Sequence, residues 1–508
     1  MRALPLLTTV IACSCFAAPA PDGFTKLAYY EIAPEPTPTM QEKKDGAIVY
    51  QRTTLAHVFK NSRPWPGERL PKTGVVMAGA RGETEAVALS LYALTNLTRV
   101  TCMPGEMHAG DRELDAALEV GCVRYNNKRT TYNATEYVEN LPVYIEAGNQ
   151  MESIPPSESR TFYLTLRIPE NAEPGVYRAN VRFAVVRGEG AAEITVPLSV
   201  RVYPFELPEP EGYLIGEYYR NQARGRREQW ERQIRDAFVD MRAHGMTSVG
   251  LMAYEPRDAL RRGGFTNAFG EGSHFAFLMD QYVKAGFPEP VLQLFDYGQT
   301  AAEMDAAYGT PDYDHAYTSF WIRLMKYSEE KGWPELIVQP IDEPGWKSQE
   351  ERDKNVHLLK LLKTIPGVRS EQDGPGNSYF FNEAGPYADV WNFNGALCNF
   401  EKLPTVLSQH MVLIYNNDVE STRPEIDRYV SGFFQKATGI DGVFNWEYCG
   451  GRGNVYNAFD GDRGDWVHRY PVEPGLNTQG GPSLAWEGSR EGVDDLTYLV
   501  LLESVTPE

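Results

Sequence analysis

Between about Ile48 and Val202, apolar residues recur at every second position. Val87, Leu89, Leu91 and Ala93 follow this rule, as do Phe162, Leu164, Leu166 and Ile168, and then Ile194, Val196, Leu198, Val200 and Val202. A period of two sends alternate side chains to opposite faces of a strand, one into a core and one into water. Turn-forming clusters at 169–175 and 188–190 separate the runs. Antiparallel strands of this kind over about 150 residues predict a β-sandwich. Its expected role is support rather than substrate contact.

The pattern changes after 204–212, a stretch with prolines at 204, 208 and 210 that reads as an extended connector. Beyond it, short apolar runs alternate with helical ones. Strands are expected at 214–218, 247–252, 291–295, 336–341, 367–371, 388–392, 411–415 and 442–446. Trp230, Ile234, Phe238 and Met241 share one helix face, and further helices are expected at 274–285, 317–330, 349–363, 424–436 and 491–502. Eight strand–helix units in about 290 residues predict a (β/α)₈ TIM barrel. The expected organisation is therefore a leader at 1–20, a sandwich at 21–203, a linker at 204–212 and a barrel at 213–508. A long loop rich in Gly, Asp and Trp, 447–489, would lie on the barrel's catalytic face.

The fourth barrel strand runs into Asp342-Glu343-Pro344. Proline cannot continue a ladder and biases the preceding residue away from helical angles, so the strand must stop there. Both carboxylates are then delivered to the C-terminal rim, where barrels of this type build their active sites. The other strand ends add Glu217, Tyr254, Glu255, Asp296, Tyr297, Glu371, Asp373, Asn392, Asn394, Tyr415, Asn416, Trp446 and Glu447. Such a mixture suits a sugar, since aromatic faces stack on pyranose C–H groups while carboxylates and amides take the hydroxyls. Any single rim carboxylate is more often structural than catalytic. The adjacent pair Asp342 and Glu343 is the strongest candidate.

A formal net charge of −20 argues against nucleic acid as a partner, because no broad surface would neutralise phosphates. The first 16 residues carry one early cation, Arg2, before an apolar run, with Ala17, Ala18 and Ala20 behind it. This is an export signal in outline, too short to span a bilayer. Val10-Ile11-Ala12-Cys13 also resembles a bacterial lipobox, which would place a lipid anchor on Cys13; cleavage near Ala17 or Ala18 is the competing expectation. The protein is thus expected to be exported, whether periplasmic, secreted or lipid-anchored, and no later stretch is apolar enough to cross a membrane. Cys102 and Cys122 flank a turn-rich segment and could pair or remain buried thiols. No His or Cys spacing predicts a metal site, and no cofactor is expected.

A sandwich, a proline-rich linker and a barrel whose fourth strand ends in Asp342-Glu343-Pro344 together resemble glycoside hydrolase family 123 and the wider set of proteins sharing that catalytic domain (the DUF4091 group). Tyr415-Asn416-Asn417-Asp418, the segment from Asp441 to Trp446, and the segment from Pro482 to Asp495 add to the resemblance, which covers nearly the whole chain after the leader. It implies a hydrolase of N-acetyl-β-galactosaminide type. Glu343 would be the general acid, and Asp342 would hold the 2-acetamido N–H so that the substrate's own carbonyl oxygen attacks C1. The resemblance further implies that Tyr415 hydrogen-bonds the acetamido oxygen and that Trp446 floors the sugar ring; from the strand ends themselves, Asp296, Asn392, Asn416 and Glu447 are expected as further substrate contacts.

Other readings compete. An ordinary retaining mechanism would use Glu343 as acid/base and Glu447 or Glu371 as nucleophile, about 5 Å away. The same scaffold could also bind carbohydrate without cleaving it, because fold does not fix activity. A surface structural protein, anchored through Cys13, is a third reading.

Overall fold

A computed structural model describes residues 19–506 apart from 132, 189, 221–224, 396–400, 419, 452 and 462. Residues 1–18 of the expected leader, Cys13 among them, and Cys398 lie outside the described residues. Among the described residues, no helix is long and apolar enough to cross a membrane.

The alternating segments form two facing sheets. One is six-stranded, with Glu136–Ala147, Glu119–Arg129, Ser159–Arg167 and Thr84–Ala93 at its centre. The other is seven-stranded and built around Leu97–Pro104, Gly175–Arg187 and Gly190–Glu206. Leu89, Leu91, Phe162 and Leu164 of the first sheet meet Val100, Phe183, Leu198 and Val200 of the second in one core. Each fully buried side chain of this size contributes about 1.5–3 kcal/mol, which makes this interface the main reason the two sheets stay together. Phe162 and Phe183 meet across it with ring centroids 5.7 Å apart.

Cys102 and Cys122 face this core from opposite sheets as free thiols. Burial pushes them up to about 12 and about 11, so neither is a ready thiolate. The last sandwich strand continues through Pro204 to Glu206, which moves the start of the connector from 204 to 207.

The second half closes into an eight-stranded parallel barrel. Its strands are Leu214–Tyr219 (β1), Ser248–Leu251 (β2), Val291–Gln293 (β3), Leu336–Val338 (β4), Arg369–Gly374 (β5), Val390–Asn394 (β6), Met411–Tyr415 (β7) and Gly442–Asn445 (β8). β8 returns to β1 with Asn445 opposite Glu217, which completes the ring. Leu214, Tyr218, Leu292, Ile337, Leu413 and Phe444 fill its interior, so the barrel is a packed core with its chemistry confined to the rim.

The helices outside follow the expected faces. Trp230, Ile234, Phe238 and Met241 are all buried on the helix Arg227–Ala243. The helix His274–Ala285 is capped by Ser273 and closed by Gly286 in the left-handed region, the usual stop for a helix followed by a turn. Three barrel helices escaped the sequence reading, Glu255–Phe269, Tyr297–Asp305 and the short Leu403–Leu407; a kink at Gly263 and Gly264 interrupts the periodicity of the first. The closing helix is also longer than expected. It begins at Leu484, capped by Ser483, so the preceding loop ends at 483 rather than 489.

The sandwich grips that loop. Lys128 donates to Asp465 O (3.1 Å), and Arg129 donates to Ala458 O (2.7 Å) and Gly461 O (2.8 Å). Tyr144 stacks on Tyr470 with centroids 4.7 Å apart. These contacts agree with a supporting role for the sandwich.

Candidate active site

β4 ends at Val338, three residues before the expected boundary, and Gln339 makes one further bond, from its N–H to Gln293 O at 3.1 Å. Pro340 therefore falls after the ladder, where its missing N–H removes no strand bond. The chain then bends sharply. Glu343 has φ +45° and ψ +51°, a left-handed conformation that non-glycine residues adopt rarely and at a cost of about 1–2 kcal/mol. Its N–H is held by Asp373 Oδ1 at 2.7 Å, and Pro344 opens the tight turn Pro344–Trp346 behind it.

Register brings the partners of Glu343 to the same level. Asp373 on β5 pairs with Asn392 on β6, and Asn394 on β6 pairs with Tyr415 on β7. Tyr415 donates its hydroxyl hydrogen to Glu343 Oε1 at 2.5 Å. Below them, Asn392 Nδ2 donates to Glu371 Oε1 (2.8 Å) and to Tyr218 Oη (3.0 Å).

Four carboxyl groups thus gather at one end of the barrel, and Lys347 is the cation that acts on the outer two. Desolvation pushes Glu343 above the usual carboxylate range and the charge of Asp342 adds to it, while hydrogen bonds from Tyr415 and Asn394 pull it back. Asp342 is also raised by loss of water, against the pull of Lys347, although its side chain still reaches solvent at the mouth. Burial lifts Glu371 to about 8. Asp373 is raised well above its ordinary value, by burial first and then by its three acidic neighbours. Among the described residues, no three His, Cys, Asp or Glu side chains are grouped to hold a metal ion. Glu371 and Asp373 are thereby held toward the protonated form, and the upward direction of the shift at Glu343 is the one a general acid requires.

Trp446 is partly buried at the rim beyond β8. Its ring lies 5.7 Å from that of Tyr218 and meets Trp466 edge-on at 6.2 Å. Trp466 belongs to the loop that the sandwich holds, so the first domain helps to build this wall.

Other expected site residues are placed differently. Asp296, expected as a substrate contact, is buried, caps the helix Tyr297–Asp305 through Gly298 and Gln299, and accepts from Tyr317 Oη (2.7 Å) and Trp321 Nε1 (3.2 Å). Its acceptor capacity is consumed by the scaffold. Asn392 sits in the barrel floor beneath the mouth, fully buried, and serves to orient Glu371. Asn416 turns in the left-handed region with φ +59°, and its N–H bonds Phe444 O at 3.3 Å. Glu217 is paired with the buried His468 at 2.7 Å.

Glu447 is 1 % exposed and is taken up by Arg220, whose Nη2 and Nε lie 2.9 and 3.3 Å from its two oxygens. Both residues also line an outer groove of about 930 Å³ against the helix Arg227–Ala243. Arg220 was missed in the sequence. Its position just past β1 was a signal, but its partner lies 227 residues away.

With this geometry in hand, known structures can be compared. The architecture is similar to that of a family 123 glycoside hydrolase. That protein, from Clostridium perfringens and described in terms of glycolipid glycan hydrolysis, aligns over 90% of this chain and 89% of its own, with a TM-score of 0.67 and 14% identity. At that identity the likeness shows a shared fold. An endo-β-1,4-mannanase from Thermotoga petrophila (12% identity, 58% of this chain and 78% of its own, TM-score 0.35) and a β-glucuronidase from Parabacteroides merdae (10%, 79% and 50%, TM-score 0.34) align more loosely, and nothing rests on them. No family model and no curated protein matches the sequence.

Proposed function

We propose that this protein is an exported glycoside hydrolase that releases a terminal N-acetylhexosamine, of β-N-acetylgalactosaminide type, by a retaining, substrate-assisted mechanism. Glu343, protonated in its desolvated position, gives its proton to the glycosidic oxygen as the bond to C1 breaks. The 2-acetamido carbonyl oxygen attacks C1 from the opposite face, while Asp342 accepts the acetamido N–H and stabilises the positive charge of the resulting oxazolinium. Water then attacks C1 as the bond from C1 to the acetamido oxygen breaks, Glu343 takes the water's proton, the 2-acetamido group is restored, and the sugar leaves with its original anomeric configuration.

The observation that carries this reading is the pairing of Glu343 with Tyr415 beside Asp342, while the carboxylates weighed as a protein nucleophile are withdrawn from solvent: Glu447 is held by Arg220, and Glu371 is buried in the barrel floor with one oxygen on Asn392. A sugar that brings its own nucleophile needs no second carboxylate across the ring. The glycolipid glycan named for the Clostridium perfringens protein is one source of such a substrate. Export rests on the leader at 1–20, and the mass of the mature N-terminus in the native host tests both cleavage and acylation at Cys13.

The decisive experiment compares aryl N-acetyl-β-galactosaminide, N-acetyl-β-glucosaminide and their 2-hydroxy counterparts, with the anomer of the first product followed by NMR. Turnover should require the acetamido group and proceed with retention, and Asp342→Asn should lower kcat by about 10²–10⁴-fold. Equal turnover of the 2-hydroxy sugars would overturn substrate assistance. Binding of these glycans without cleavage would leave a carbohydrate-binding protein.

A further inference from the structure

Glu447 presents a physical puzzle. Burying a carboxylate costs several kcal/mol, and a buried ion pair seldom returns more stability than a well-packed apolar pair. Despite the pull of Arg220, burial lifts this carboxyl to about 7. The pair is nevertheless built with care. Its two-point contact fixes the plane of the Arg220 guanidinium, which lies 5.2 Å from the centroid of the Trp446 ring. Gly450 makes room for it, because a Cβ there would fall on the Glu447 carboxylate. Gly450 also pairs with Trp466, which meets Trp446 edge-on. Trp446 is thus held by Tyr218, by Trp466 and by a cation whose orientation is set from behind.

We infer that Arg220 and Glu447, with the space left by Gly450, are positioning residues for Trp446: Glu447 orients Arg220, and Arg220 holds the indole at the angle that receives the apolar face of a pyranose. The inference rests on the reading of the barrel mouth as a hexosaminidase site and adds to it a determinant of sugar affinity. Glu447 acts at second hand, through a cation and a ring, and not as a nucleophile. Because an aromatic floor contacts the sugar both before and during bond cleavage, its misalignment affects KM more than kcat.

The test is steady-state kinetics on an aryl N-acetylhexosaminide with Glu447→Gln, Arg220→Ala, Arg220→Lys and Gly450→Ala, each checked for an unchanged melting profile. Every variant should raise KM by about 3- to 30-fold while kcat stays within about threefold. Arg220→Lys should not rescue, since an ammonium lacks the flat fork that pairs with a carboxylate and stacks on a ring. In a Trp446→Ala background, adding Glu447→Gln should change KM by less than about twofold, as expected for residues acting through one contact. A Glu447→Gln variant that loses kcat by about 10³-fold and recovers with azide would overturn the inference in favour of a nucleophile. Full additivity with Trp446→Ala would overturn it as well.

Should the wild type cleave no N-acetylhexosaminide, the proposed function fails and the inference is read by tryptophan emission. Glu447→Gln must then shift the spectrum in the parent but not in Trp446→Phe. Equal shifts in both would end it.

Discussion

Tyr415, at the end of β7, donates a hydrogen bond to Glu343, just past the end of β4, with 2.5 Å between Oη and Oε1. The two residues are 72 positions apart in sequence. The contact commits one oxygen of Glu343, Oε1, within the protein, and Asn394 adds a second side-chain hydrogen bond to the same carboxyl. It also opposes the rise in pKa that burial and Asp342 impose on the carboxyl.

Replacement of Glu343 by Gln removes the transferable proton and little else. We expect kcat on an alkyl or oligosaccharide N-acetylhexosaminide to fall by about 10²–10⁴-fold, and by far less on a dinitrophenyl glycoside, whose leaving group needs no protonation. Comparing the two substrates checks the assignment, and normal turnover of the unactivated one would rule out Glu343 as the acid.

Loss of the Tyr415 hydroxyl should move the pH profile in a defined direction. The hydrogen bond favours the carboxylate form of Glu343, so Tyr415→Phe leaves the acid protonated to higher pH. The alkaline limb of kcat/KM, measured on one substrate, should shift upward. A downward shift would contradict the role assigned to this bond.

Glu371 predicts a stability effect separate from catalysis. Its folded-state value of about 8 lies above that of an unfolded glutamate, so the folded protein holds a proton that the unfolded chain has released. Stability is fully present below the unfolded value and is lost as pH rises through about 8. Glu371→Gln keeps an oxygen for Asn392 and removes the titration. It should stabilise the protein by about 4 kcal/mol at pH 8, with the gain vanishing near pH 4. Thermal denaturation at both pH values checks this.

The sandwich can be tested as a support for the rim. Arg129→Ala frees the carbonyls of Ala458 and Gly461, and loops released from such bonds open locally before the rest unfolds. Limited proteolysis of the folded protein should then cut within 447–483 several times faster than in the wild type, with cleavage elsewhere unchanged.

Much of the scaffold was legible because its signals are local. The alternation of Phe162, Leu164, Leu166 and Ile168 is the pleat of a strand, and all four are fully buried. The helix expected at 274–285 was found at those residues because its cap, its buried face and its terminal glycine are adjacent in sequence. The helix Glu255–Phe269 was hidden by two glycines whose conformations break its period. The closing helix began earlier than expected because Gly488 and Gly492 weaken its local signature, while both pack against the backbone of the helical segment near Pro424 and Arg428.

By itself the sequence determined that a sandwich precedes a barrel, that the barrel has eight strands, and that Asp342 and Glu343 leave β4 together before a proline. Each follows from periods of two or 3.6 residues and from the rigid ring of Pro344, which act within a few residues. Only the tertiary structure decided what each rim carboxylate does. Glu343, Asp296 and Glu447 all follow barrel strands and look alike as sequence. Tyr415 and Asp373 hold the first at the mouth, Tyr317 and Trp321 bind the second into the scaffold, and Arg220 takes the third. A carboxylate's chemistry is set by the charges and donors within a few ångströms of it, and barrel closure draws those from segments remote along the chain.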